Sequence, residues 1–195
     1  RANDESGINF SIVPPKLKQK SFPLYTEGRI YYQGPRRTPN PASIKLDLSA
    51  SEAIIRPPVF RPIAHESYSD ELPEKPQVMC YSFEEIFAEK IRAMGERGLP
   101  RDLYDIIFLF RNGYFKLQHS LIKSVLESKC ATKGVPVPTF ESIKNSSRLG
   151  ELKGEWTNML AHQLPVLPPF GEFWDELPKL FGWLEGKYVQ EELGT

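Results

Sequence analysis

Cysteine is scarce in this chain of 195 residues: there are two, Cys80 and Cys130, far apart and in no metal-like spacing. A disulfide framework is excluded as an organising feature, and a reduced, cytoplasmic setting is the expectation. No sign of charge dominates, since 25 Lys+Arg stand against 25 Asp+Glu. That removes a strong global positive field, the simplest argument for binding nucleic acid or a membrane surface, and leaves room only for a local basic patch. No run approaches the ~18–20 apolar residues that a membrane span needs. The histidines His65, His119 and His162 have no metal-ligand spacing. Dinucleotide, Walker, nucleophile-elbow and H-E-x-x-H motifs are missing, as is any internal repeat. The chain opens Arg1-Ala2-Asn3-Asp4-Glu5, without an initiator Met or the basic-then-apolar pattern of a signal peptide. The expectation is a chain from which residues were removed, or a fragment.

What is present is ordinary for a globular protein: 40% hydrophobic and 26% charged residues, which excludes collagen-like and wholly disordered classes. The length suits one average domain or two small ones. Proline, at 18 residues, is well above the usual ~5%.

The chain changes character near residue 78. Before it, apolar residues alternate between Pro-rich interruptions. Ile8 to Val13 reads as a half-buried strand stopped by Pro14-Pro15. Phe22–Tyr32 and Ala42–Ser49 read as an antiparallel pair joined by a turn-rich loop. In the second of these, Ile44, Leu46 and Leu48 take one face, and Lys45, Asp47 and Ser49 the other. Residues 56–62 hold three prolines and cannot be a central strand. His65 to Lys75 reads as a polar loop, and Gln77 to Tyr81 as a short strand.

After residue 78, helical periodicity takes over. Ser82-Phe83-Glu84-Glu85 has the form of a capping box, opening a helix that runs to about Met94. A second helix starts at Pro100, an allowed first-turn residue, and stops at Asn112-Gly113. Leu117 to Lys129, Ser142 to Asn145, Leu152 to Gln163 and Phe173 to Glu185 are further helical pieces. Trp156, Trp174 and Trp183 fall on these amphipathic pieces and read as core.

Charges placed where packing does not want them mark candidate sites. On the capped helix, Phe83, Ile86, Phe87, Ile91 and Met94 share an apolar arc, with Lys90 near its middle. Lys90 either lays its stem along the core and snorkels, or offers its ammonium to phosphate. The next helix is apolar nearly all round from Leu103 to Phe110, which predicts burial, and Asp105 is the one charge inside that run. Asp105 therefore needs a cation or strong donors, with Lys90 and Arg101 the candidates for an ion pair. Asp102 shares its face, and complementing the helix dipole explains it equally well. Lys45 and Asp47 are either a solvated sheet face or a lysine for phosphate beside a carboxylate for a metal. Lys16, Lys18, Lys20, Arg36 and Arg37 form a modest basic cluster with Tyr31 and Tyr32 nearby. It reads as a solvated face before an RNA contact.

The stretch Ser82-Phe83-Glu84-Glu85-Ile86-Phe87-Ala88-Glu89-Lys90-Ile91-Arg92-Ala93, then Arg97, then Pro100-Arg101-Asp102-Leu103-Tyr104-Asp105, resembles the signature of the AbiEii/AbiGii nucleotidyltransferase toxins of bacterial abortive-infection toxin–antitoxin systems. The strand Ile44-Lys45-Leu46-Asp47-Leu48-Ser49 is similar to that family's K-x-D strand. The resemblance covers roughly residues 8–112. It implies an α+β fold: a partial, polymerase-β-like nucleotidyltransferase sheet over residues 1–78, followed by a helical domain over 79–195.

On this resemblance, Asp47 is a catalytic, metal-side carboxylate for Mg²⁺, with Lys45 beside it. Lys90 contacts a nucleoside triphosphate, Asp105 orients Lys90 or the nucleotide, and Arg101 and Asp102 support nucleotide binding, with Lys90 and Asp105 facing a cleft between sheet and helices. The implied chemistry is in-line transfer of a nucleotide to an RNA, with tRNA the expected acceptor, in phage defence. A cognate antitoxin would act without a stable complex. The family's Gly-Ser or Gly-Gly-Thr turn and D-x-D strand do not occur in these residues, so the expectation is one metal carboxylate of three and no nucleotide incorporation by the 195 residues alone. The alternatives are a non-catalytic nucleotide- or RNA-binding module, a degenerate relative, or a purely structural α+β domain. Lys90 and Asp105 are expected within reach of each other, on antiparallel neighbouring helices.

Overall fold

The computed structural model describes residues 7–19, 25–34, 38–50, 52–63, 77–112 and 118–187. Lys20, Arg36, Arg37, Gly113, the whole of the expected loop from His65 to Lys75, the start of the expected strand at Phe22 and the start of the expected helix at Leu117 lie outside them. Contacts divide the chain between Ala53 and Ile54 into two compact units. This division falls earlier than the change of composition near residue 78, because the strands flanking that point pair with each other and belong with the helices.

The first unit holds a three-stranded antiparallel sheet, ordered β1 (Lys16–Gln19), β2 (Tyr25–Tyr32), β3 (Ala42–Ser49). The expected pairing of the second and third strands is present, with Tyr25 opposite Ser49 and Tyr32 opposite Ala42. The segment around Ile8 to Val13 is not a strand: it makes one isolated bridge, Asn9 with Gln33. The edge position goes instead to β1, whose Lys16 sits over the Tyr31 ring at 5.5 Å and whose Lys18 stands opposite Glu27. Strict alternation in β3 did not translate into a buried face, since Ile44, Leu48 and the neighbouring Leu17 of β1 are exposed.

The second unit begins with a two-stranded antiparallel sheet, β4 (Val59–Pro62) with β5 (Gln77–Cys80). A two-stranded sheet has only edges, which is how prolines are accommodated there. Eight helices follow among the described residues: α1 (Phe83–Glu96), α2 (Pro100–Arg111), α3 (His119–Lys133), α4 (Phe140–Lys144), α5 (Leu149–Gly154), α6 (Trp156–Leu160), α7 (Phe170–Trp174) and α8 (Leu177–Leu184). Their apolar faces close on one core around Phe87, Ile91, Leu103, Ile106, Ile122 and Trp183. Trp183 lies against Phe87 and Phe110, and buried Trp156 donates its indole N–H to the Pro168 carbonyl at 2.9 Å. None of the described helices is long and apolar enough to cross a membrane.

Two glycines make the turns of this unit possible. Gly98, at φ +57°, carries the chain from α1 into α2. Gly95 lets α1 pass against Pro138: a Cβ built there would lie 2.5 Å from the proline Cβ.

Ser82 caps α1 as expected, its hydroxyl accepting from the Glu85 N–H. The reciprocal half of the capping box is replaced. The Glu85 carboxylate turns inward and accepts the backbone N–H groups of Ile55 and Arg56 at 3.1 and 2.9 Å, and Lys129 of α3 meets it at 2.7 Å. Both side chains are almost wholly buried, and Lys129 also reaches Glu89 at 3.4 Å. Arg92 joins Glu89 and Glu96 beside them. A buried carboxylate gains more from two amides, an ammonium and charge neutralisation than from one cap N–H.

Removing Lys129 would strand Glu85 in the core. Lys129→Met should lower unfolding free energy by roughly 3–5 kcal/mol, read by urea denaturation. Burial pushes the Glu89 carboxyl up, but hydrogen bonds and charge from Arg92, then Lys129, outweigh it and hold it below the ordinary glutamate value. Its contribution is therefore fully present above the unfolded glutamate pKa of about 4.3 and lost as pH falls through the lower folded value. Urea midpoints should drop between about pH 5 and 3, with a shallower drop in Glu89→Gln.

Candidate functional site

The residues singled out in the sequence fall into two groups, one in each unit. In the sheet, Lys45 and Asp47 share a face of β3, their side chains 3.4 Å apart. Glu27 of β2 stands opposite Asp47 and reaches Lys45 at 3.6 Å. The Tyr25 hydroxyl donates to Asp47 at 2.7 Å. Asp47 and then Glu27 raise the Lys45 pKa, and the hydrogen bond to Asp47 raises that of Tyr25. Sequence reasoning passed over Tyr25 and Glu27. Their alternation within β2 was the signal that they share the face of Lys45 and Asp47.

In the helical unit, α1 and α2 form an antiparallel hairpin across the short turn at Gly98. Two ion pairs join them. Near the turn, Arg97 grips Asp102 with two hydrogen bonds of 2.8 and 2.7 Å. Asp102 is fully buried, so its carboxylate is spent on Arg97 and supports the hairpin from inside. Two turns further along α1, Lys90 meets Asp105 at 2.6 Å. Of the partners considered for Asp105, the lysine is the one it takes.

The Lys90–Asp105 pair differs from the Glu85–Lys129 pair in one respect: about a third of each side chain, 31% and 38%, is open to solvent. Arg101, one turn before Asp105, is exposed and forms no ion pair among the described residues. The Lys90 ammonium is thus partly open to solvent and held by a carboxylate, with the Arg101 guanidinium on the same helix face as Asp105. Ile86, one turn before Lys90, is also exposed, although the sequence pattern assigned it to the apolar arc.

The sheet thus carries a lysine and an aspartate on one face, and the helices that follow it in sequence carry a second lysine–aspartate pair. A family model described as nucleotidyl transferase AbiEii toxin, type IV TA system, matches residues 5–179, and the chain belongs to that family. No curated protein and no solved structure matches it.

The family points to a divalent metal. Asp47 is an oxygen ligand of suitable chemistry for Mg²⁺, but its Oδ1 is engaged by both Tyr25 and Lys45. Among the described residues, no three His, Cys, Asp or Glu side chains group as a metal ion would need. These residues do not by themselves compose a Mg²⁺ site, and no chemical step is derived through one.

The two ion pairs of the hairpin should separate by mutation. Asp102→Ala leaves Arg97 without its acceptor and opens a buried void, and should cost about 2 kcal/mol. Lys90→Ala, at a half-exposed pair, should cost less than about 1 kcal/mol. Parallel urea titrations of the two variants check the contrast.

Proposed function

We propose that this protein is a component of a nucleotidyltransferase-like toxin whose chemistry is transfer of a nucleotide from a nucleoside triphosphate to an RNA acceptor, with tRNA the expected target, these residues holding one metal carboxylate of three and incorporating no nucleotide by themselves. Lys90 and Arg101 neutralise triphosphate charge. Asp105 holds the Lys90 ammonium in place, and Asp102 supports the same hairpin through Arg97. Asp47, with Lys45 beside it, is the carboxylate that a Mg²⁺ ion would use. A cognate antitoxin acts without a stable complex, and the setting is the cytoplasm in phage defence.

The half-open Lys90–Asp105 pair carries this reading. A pair that open contributes little to stability, so folding alone gives weak reason to place a lysine and an aspartate inside otherwise apolar helix faces. Membership of a nucleotidyl transferase family supplies the anion that such a lysine would meet.

A second reading keeps the same nucleotide contacts without transfer, as a binding module. The bonds of Asp47 Oδ1 to Tyr25 and Lys45 favour it, because they commit one carboxylate oxygen to protein donors. Label on the RNA after incubation with labelled nucleoside triphosphates, Mg²⁺ and tRNA would eliminate the binding-module reading, and with it the expectation that these residues alone incorporate no nucleotide.

Lys90→Ala and Asp105→Ala should each weaken nucleoside triphosphate binding by about tenfold or more, as expected for loss or misplacement of one charge-assisted phosphate contact, while melting temperatures stay near wild type. Calorimetric titration checks this, and unchanged affinity in both variants would leave the pair a structural one.

A further inference from the structure

Beyond the ion pair, α2 presents Arg101, Asp105 and Phe108, spaced so that they lie along one line of the helix. Phe108 breaks the pattern of its surroundings. Leu103, Ile106, Ile107 and Phe110 of the same helix are buried, whereas Phe108 is 48% exposed. One exposed phenylalanine is ordinary on a protein surface. Two features set this one apart.

First, Phe108 is the outer member of a stack of three nearly parallel rings. It lies 5.9 Å from Tyr104 at 15°, and Tyr104 lies 5.0 Å from Phe173 at 14°. Arg111 sits over Phe173 at 4.3 Å and is itself held by Glu176 at 2.7 Å. The stack is thus fixed at its inner end and stops at a ring open to solvent. Second, Phe108 lies one helical turn from Asp105, the residue that holds the Lys90 ammonium. Because α1 and α2 run antiparallel, exposed Ile86 lies toward the same end of the hairpin as Phe108, with Arg101 toward the other. From Arg101 to Phe108 the helix rises about 10 Å. Cationic groups at one end of that stripe and a flat apolar surface at the other match the two ends of a nucleoside triphosphate.

We propose that Phe108 is the nucleobase platform: the base stacks on its exposed ring and extends the aromatic stack by one, while the phosphates lie toward Lys90 and Arg101. This inference rests on the nucleotide reading above and adds the base-binding surface to it. Every base has a π-face, so Phe108 contributes affinity without choosing among bases.

The test uses the full chain with ATP and inorganic tripolyphosphate as probes, by calorimetry, with melting temperatures recorded for each variant. Phe108→Ala should weaken ATP binding roughly fivefold to a hundredfold, the range measured for losing one base–aromatic stack, and leave tripolyphosphate binding unchanged. Phe108→Trp should retain ATP affinity, and ATP should quench the new indole. ATP affinity unchanged in Phe108→Ala overturns the platform, as does a parallel loss of tripolyphosphate, which would mark a structural effect. Wild-type protein that binds neither probe overturns the nucleotide reading itself, an outcome distinct from failure of the platform alone.

Discussion

A buried carboxylate, Glu85, is the point on which the helical unit depends. It sits in the first turn of α1, yet its bonds run to the chain just after the boundary between the two units and to Lys129 on α3. One side chain thereby fixes the segment at Ile55 and Arg56, α1 and α3 to each other. Coulomb attraction in a low-dielectric site is strong, and so is the cost of exposing either charge unpaired. The pair therefore admits few alternative packings. It holds α1 in one rotation about its axis, and that rotation decides where Lys90 points, five residues further along.

Burial separates the two kinds of charge on this hairpin. Glu85 and Asp102 are sealed and fully partnered, the first by Lys129 of α3 and the second by Arg97, and their role is architectural. Lys90, Asp105 and Arg101 share the same two helices but keep contact with water. The sealed set pre-organises the open set. On the proposed nucleotide reading, a lysine held for phosphate by a neighbouring carboxylate needs a rigid frame, because a long side chain loses rotamer entropy when it is immobilised. Membership of the AbiEii nucleotidyl transferase toxin family gives that frame a purpose consistent with its construction.

Much of this was legible in sequence because it is local. Ser82 announces the start of α1, Pro100 the start of α2, and Asn112 its end. The pairing of Lys90 with Asp105 was legible because two lone charges on consecutive apolar helices have few other partners. The antiparallel match of β2 with β3 followed from alternation and turn chemistry. What was not legible is long-range or depends on exposure. The partners of Glu85 are distant in sequence, so a capping box was the natural local reading. β1 carries little apolar alternation and forms only because β2 offers an edge. A phenylalanine in an apolar helix carries no mark of facing outward, so Phe108 and Ile86 were read as core. The three-stranded sheet gave the opposite lesson: alternation predicted two distinct faces, but not that the apolar one would stay exposed.

The close approach of Gly95 to Pro138 has a bearing on how this sequence can drift. A methyl group at Gly95 would collide with the proline ring, so α1 and the segment entering α4 are coupled through two positions that make no polar contact. A side chain at Gly95 is tolerable only after Pro138 changes or shifts. The pair acts as a ratchet on divergence: proline first locks glycine in place, and glycine in turn permits the proline to stay close. Such a coupling preserves the spacing between α1 and α4 without any bond, by leaving no room for a side chain between them.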